Sequence, residues 1–166
     1  LSLRNYLKAL DDFLSRDLQG LTNDPLSSEK YGLENAKRLA ALVFHEALCE
    51  YGQDLKHEQQ LGEALADIFT EIFTMESVIA RVSQTQSANG TSSMSTVIAR
   101  IYAAESLLKV KSLSKICLNK IFRESIPNNH LETIQQLESR ITLQTDIISL
   151  KQELADFMYT KKDYPF

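Results

Sequence analysis

The stretch "ALADIFTEIFTMESVIARV", Ala64 to Val82, decides the fold class. At 100° per residue, Leu61, Leu65, Ile68, Phe69, Ile72 and Ile79 gather on one arc, and Glu63, Asp67, Thr70, Glu71 and Thr74 on the other. That is the pattern of an amphipathic helix. One residue breaks it: Glu76 projects between Ile72 and Phe69, inside the apolar arc. A buried charge is costly unless it is paired or protonated. The projection therefore asks for a catalytic task, a metal or a cationic partner at Glu76. If the carboxylate is structural, Glu76→Ala should destabilise the fold without touching any chemistry.

Working outward, the same period recurs on both sides. Residues 1 to 16 place Leu3, Tyr6, Leu7, Leu10 and Leu14 on one stripe, a short amphipathic helix. Gly20, Asn23, Asp24 and Pro25 then supply turn chemistry, and Ser28 is a candidate cap for a helix bearing Leu33, Ala36, Ala40, Val43, Phe44, Ala47, Leu48 and Tyr51 on one face. Gly52 is a plausible stop. A third helix is expected from about Leu55 to Gln84, and "SQTQSANGTSSMS" reads as a mobile loop. The fourth runs from Ser95 to about Arg123, with Val97, Ile98, Ile101, Ala104, Leu108 and Ile116 inward. After Pro127, Leu131, Ile134, Leu137 and Ile141 mark a fifth, whose phase fails near "TLQTD". A last helix starts at about Asp146, with Ile147, Leu150, Leu154, Phe157 and Met158 on its arc. No strand alternation appears. The expected fold is all-α, an up-down antiparallel bundle of four main helices, an N-terminal connector helix and a last helix broken near 142–146.

Composition agrees. The 166 residues, 43% hydrophobic and 24% charged, suffice for one domain with a genuine core. Five Gly, three Pro and no Trp leave long stretches without breakers. A net charge of −4 gives no electrostatic footprint for nucleic acid. No apolar run approaches the ~18 residues of a membrane span, and no secretory signal is apparent. The first helix balances Arg4, Lys8 and Arg16 against Asp11, Asp12 and Asp17, unlike the basic face of an interfacial helix. The chain starts "LSLRNYL", without Met, which suggests an excised piece of something longer.

Candidate sites are sparse. A di-iron carboxylate bundle wants Glu-x-x-His on two helices. The nearest approach is "DLKH", Asp54 to His57, and His130 has no carboxylate three residues earlier. His45 and Cys49 at i, i+4 make half a zinc site, but Cys117 and the other histidines supply no second pair. Cys49 and Cys117 are expected to be free thiols. Glu105 projects between Ile101 and Ile98, repeating the oddity of Glu76. Two inward carboxylates could form an acid/base pair. The structural alternative pairs each with a neighbour, for which Arg100, Tyr102, Lys109 and Arg140 are available. No phosphate-cradling loop or nucleophile elbow is present.

Three sub-patterns, in order and spacing, carry a resemblance: "ENAK", then "ALADIFTEIFTMES" followed by "AR", then "IYAAES" on the next long helix. With the terminal "IISLKQELADFMYTKKDYPF", they make residues 28 to 166 resemble the C-terminal helical extension of long- and very-long-chain acyl-CoA dehydrogenases. The resemblance implies a flavoprotein whose core, holding FAD and a catalytic Glu that removes the α-proton of an acyl-CoA, would precede Leu1. It implies residues 1–27 as connector from that core and 28–166 as the bundle. No catalytic, cofactor-binding or metal residue carries over: FAD belongs to the parent, none is bound by this fragment, and the fragment alone is expected to be inactive. Glu76 and Glu105, within "MES" and "AES", match positions that look structural. The implied partners are the upstream core and a second subunit in a homodimer, in fatty-acid β-oxidation. The implied setting is intracellular, bacterial cytoplasm or mitochondrial matrix. Very-long-chain members attach to the inner membrane near this point, but Leu1 to Ser27 lacks a basic cluster. The competing expectation is a non-enzymatic interaction module, as in the family's respiratory-complex assembly factor.

Overall fold

A computed structural model describes residues 24–89, 93–123, 126, 128–141 and 143–161. Five α-helices account for nearly all of them: α1 (Ser27–Tyr51), α2 (Gln59–Asn89), α3 (Ser93–Phe122), α4 (Asn128–Ile141) and α5 (Ile147–Lys161). A 3-10 helix, Gly52–His57, joins α1 to α2. Among the described residues there is no strand, as the sequence leads one to expect. The expected helix over residues 1–16 lies outside the described residues.

The helix ends show why the elements stop where they do. Asp24 opens the bundle with an Asx-turn: its Oδ1 accepts the Leu26 N–H at 2.7 Å and its carbonyl the Ser27 N–H at 3.0 Å. The Lys30 ammonium pairs with its other oxygen, and this bond, followed by the Leu26 amide, holds the Asp24 carboxyl below its ordinary range. Ser28 therefore does not cap; it lies inside the first turn of α1. Gly52 does stop α1, at φ +52°, donating its N–H to the Leu48 carbonyl. Asp146 caps α5: Oδ1 accepts the N–H groups of Ile148 and Ser149, both at 3.1 Å, and Oδ2 the Ser149 hydroxyl at 2.7 Å. The break near 142–146 is thus real, with 143–146 outside any helix.

The expected loop at "SQTQSANGTSSMS" is a correction. α2 continues to Asn89 and α3 begins at Ser93. Composition misled because hydroxyl residues can be satisfied within a helix; Thr85 Oγ1 donates to the Arg81 carbonyl at 2.9 Å. Nothing before Gly90 forbids helix.

Contacts along the helices fix the topology. Phe44 meets Phe69 and Lys37 meets Glu76, so α1 and α2 run antiparallel. Tyr102 bonds Thr74 and Lys109 pairs with Glu71, so α2 and α3 do as well. Arg100 with Glu29 and Tyr51 with the Lys120 carbonyl make α1 and α3 parallel neighbours. α3 touches all four other helices. α5 packs on α3 alone, closing a small second core in which Ile147, Leu150, Leu154 and Phe157 cover Met94, Val97 and Ile101.

The main core repeats every 3.5 residues. On α2 the buried residues are Leu61, Leu65, Ile68, Ile72, Met75, Ile79 and Val82, stepping by four and three without a fault. Leu33, Ala36, Ala40, Val43 and Ala47 do so on α1, and Ala103, Leu107, Val110, Ser114, Cys117 and Ile121 on α3. This is the knobs-into-holes pattern of a left-handed bundle. Each fully buried side chain of Leu or Ile size contributes about 1.5–3 kcal/mol. At Gly32 the α1–α3 approach is so close that a Cβ would sit 2.7 Å from Leu107 Cδ1.

Several residues expected to be inward are not. Phe44, Leu48, Phe69, Leu108, Ile116 and Met158 are exposed. Among the described residues no helix is long and apolar enough to cross a membrane.

Candidate functional site

Glu76 is not buried. Its side chain is 52% exposed and accepts from Lys37 Nζ at 2.6 Å, while Lys37 also reaches Glu34 at 2.9 Å. Burial works to lower the Lys37 pKa, but the hydrogen bonds to Glu76 and Glu34 outweigh it and the net shift is upward. Two things misplaced Glu76. The projection counted Phe69 as core, when that ring leans across the outer face onto Phe44, and it left out Met75 and Val82. A seam of 3.5 residues per turn also drifts about 20° per heptad from a straight 100° projection. On the true seam, Phe69 and Glu76 are equivalent flank positions, where interhelical ion pairs are usual.

Glu105 is likewise half-exposed, paired with Lys151 of α5. Neither carboxylate has a partner from the four offered by the sequence. Arg100 instead donates to the Pro25 carbonyl at 2.9 Å and lies 3.8 Å from the buried Glu29 carboxylate, fastening the entry turn to α3.

The polar cluster that does sit between helices involves residues placed on the wet arc. Glu71 is largely buried, with Oε2 accepting from Ser106 Oγ at 3.0 Å and Oε1 from Lys109 Nζ at 2.5 Å. One turn on, Tyr102 donates to Thr74 Oγ1 at 2.8 Å, and Thr74 donates to the Thr70 carbonyl at 2.9 Å. The Glu71 bond, then its charge, raises the Lys109 pKa. Each of these bonds runs from a donor to an acceptor, and the Glu71 carboxylate is held by a hydroxyl and an ammonium rather than by a second carboxyl. The cluster fixes α2–α3 register and offers no shared proton for acid/base work.

Sequence reading also missed the buried polar side chains of α1. Glu29, Asn35 and Arg38 are 4%, 0% and 2% exposed. Asn35 Nδ2 donates to the Tyr31 carbonyl at 2.8 Å, whereas its buried Oδ1 meets no donor among the described residues. Within "ENAKRLAA" these residues look like any polar face, because α1 is wrapped by three helices at once.

His45 Nε2 lies 3.5 Å from Cys49 Sγ, so the i, i+4 spacing does bring them together. They remain a pair: among the described residues no group of three or more His, Cys, Asp or Glu could hold a metal. Asp54 and His57 lie exposed on the 3-10 helix, and the His130 side chain is outside the described residues. Both cysteines are free, Cys49 exposed and Cys117 buried. Burial, then Glu46, pushes the Cys49 thiol up, and burial pushes Cys117 to about 11, so neither is poised as a thiolate. A cavity of about 110 Å³ between α3 and the α4–α5 junction is lined by Leu107, Leu108, Lys111, Ile141, Leu143 and Ile147, among others.

The family model described as "Acyl-CoA dehydrogenase, C-terminal domain" matches residues 35–131, more than half the chain. The chain belongs to this family. A curated relative, a probable acyl-CoA dehydrogenase of Bacillus subtilis (strain 168), is 24% identical over 141 residues, 84% of this chain and 23% of that protein. The crystal structure of an acyl-CoA dehydrogenase complexed with FAD, from Bacillus anthracis, matches with a TM-score of 0.82 at 20% identity. It covers 97% of this chain and 28% of that one, and at this identity shows the shared fold. The domain thus spans about a quarter of the length of these relatives.

Proposed function

We propose that the domain is the C-terminal accessory part of an FAD-dependent acyl-CoA dehydrogenase, acting on long acyl chains in fatty-acid β-oxidation. The observation that carries this is the C-terminal family match over α1 to α4, in a chain a quarter as long as its relatives. The reaction assigned to the whole protein is α,β-dehydrogenation of an acyl-CoA thioester. This domain's own part is architectural: docking on the upstream core and supporting a homodimer, in the bacterial cytoplasm or the mitochondrial matrix. Residues 1–27 serve as the connector and 28–166 as the bundle.

We place FAD in the upstream core, because the cavity between α3 and the α4–α5 junction is not built to hold it. The cavity of about 110 Å³ falls well short of the roughly 300 Å³ at which small-molecule sites begin, and aliphatic side chains dominate its lining. No step of the reaction is therefore assigned to these residues.

The test compares the 166-residue chain with a longer frame read from the coding DNA upstream of Leu1. The longer protein should be yellow and oxidise acyl-CoA with a dye acceptor; the chain alone should be colourless and inert. Flavin bound stoichiometrically to the chain alone, or an upstream frame with no flavin-binding core, overturns the reading. The second outcome would favour the non-enzymatic interaction module, for which the exposed aromatic side chains of α1 and α2 provide a surface.

A further inference from the structure

α5 lies against the bundle without being built into it. α2 buries a seam from Leu61 to Val82, and α4 buries Ile134, Leu137 and Ile141, but no side chain of residues 147–160 is buried. Ile147, Leu150, Leu154 and Phe157 are only partly buried on α3, and Ile148 and Tyr159 are 73% and 84% exposed. Among the described residues α3 is its sole neighbouring helix. The Lys151–Glu105 pair that links the two helices has both side chains about half in water, and exposed pairs of this kind hold little. Beneath α5, Met94, Val97 and Ile101 form a cluster separate from the main core.

The join to α4 is built as a pivot. Leu143 packs on the main core near Gly32, whereas Gln144 and Asp146 are exposed and 143–146 belong to no helix. The bonds that start α5 are its own. The Asp146 carboxylate takes the amides of Ile148 and Ser149 and the Ser149 hydroxyl, so the cap travels with the helix. The cavity of about 110 Å³ lies at this pivot, between Leu107, Leu108 and Lys111 on α3 and Leu143, Thr145 and Ile147 on the join. Atoms that line a void lack partners on one side, so the join has few contacts to break.

We propose that α5 is a releasable strap, which comes off α3 as a unit about residues 144–146 while α1 to α4 stay folded. Little burial and sparse contacts are what place a segment at the low-stability end of a native structure. A 15-residue helix is marginal alone in water, so its backbone bonds open as it leaves. Release bares Met94, Val97 and Ile101 and joins them to the cavity, giving an apolar groove of about 21 Å along α3 from Met94 to Leu108. The strap rests on packing alone and stands apart from the enzyme reading.

Cys117, buried in the main core, is a built-in reference for opening of the whole bundle. In the 166-residue chain carrying Cys49→Ser and Val97→Cys, iodoacetamide under native conditions should alkylate the thiol beneath α5 at least about 100-fold faster than Cys117, read by peptide mass spectrometry. Adding Lys151→Glu, which sets α5 against Glu105, should speed the first reaction further and leave Cys117 unchanged. Equal rates at the two thiols, or equal acceleration of both by Lys151→Glu, would mean that α5 leaves only with the whole bundle, and would overturn the proposal. In the unsubstituted chain, amide exchange should divide the same way. Urea should barely accelerate α5, because little surface opens, and should strongly accelerate α1 and α3. A urea dependence in α5 as steep as that in α3 overturns the proposal without recourse to any substitution beneath the strap.

Discussion

Glu71 and Glu76, five residues apart on α2, should respond to alanine in opposite order from the one a helical projection suggests. Glu71 is 17% exposed and takes the hydroxyl of Ser106, itself 3% exposed, as well as the Lys109 ammonium. Glu71→Ala leaves a buried hydroxyl without its acceptor, which costs about 1–3 kcal/mol. At about 2–4 °C per kcal/mol for a chain of this size, a midpoint value corresponds to a fall in Tm of about 4–8 °C. Glu76 is half in water, and Lys37 keeps Glu34 as a second partner. Its replacement should cost under about 1 kcal/mol. Urea denaturation of both variants, with Ser106→Ala and the double Glu71→Ala/Ser106→Ala variant, separates the contributions. The cycle should return a coupling of about 0.5–3 kcal/mol between Glu71 and Ser106. A Glu76→Ala loss equal to or larger than that of Glu71→Ala would refute the reasoning, because it would put Glu76 back in the core.

Other expectations concern the helix ends and the thiols. Asp146→Ala removes three bonds at the start of α5, so hydrogen exchange should speed up across α5 while α1 to α4 keep their protection. The Ser149 hydroxyl, then its amide, holds the Asp146 carboxyl low. A group whose pKa is depressed on folding stabilises above its unfolded value, about 3.9, and loses that contribution as pH falls through the folded value. Acid should therefore loosen α5 as Asp146→Ala does, and calorimetry of wild type and variant should converge at low pH. Gly52→Ala forces a Cβ onto a backbone at φ +52°, ψ −123°, outside the left-handed helical region that side chains tolerate best, and should cost about 1–3 kcal/mol in chemical denaturation. A maleimide should modify Cys49 in the native protein and Cys117 only after unfolding; equal native labelling would contradict the burial of Cys117.

The sequence made the helices legible because the apolar spacing survives in every one of them. Gly52 and the break before Asp146 could be read because each depends only on local chain chemistry. The loop expected after Val82 failed for the converse reason: small hydroxyl residues permit helix or loop, and the pairing of α2 with α3 decides. Glu76 and Phe69 show a subtler limit. A projection gives a helix its arc but not the width of that arc, and a residue on the flank passes from core to surface with a shift of a few tens of degrees. The partners of Glu71, Glu76 and Glu105 lay beyond reach because each sits on another helix, at a level set by interhelical register. α1 hides the most, since neighbours on nearly every side bury Glu29, Asn35 and Arg38 and erase the contrast between wet and dry faces on which such reading depends.

The unbroken four-three stepping on α2 works as a ruler marked in sevens. Removing seven residues near the α2–α3 end and seven from the facing stretch of α3 would bring like positions back against like, leaving a shorter hairpin with the same cross-section. Losing one or two residues would instead turn every position beyond the cut off the seam. Relatives that differ in the length of this hairpin should accordingly differ by whole heptads, and tags or reporters inserted there should be tolerated in the same increments.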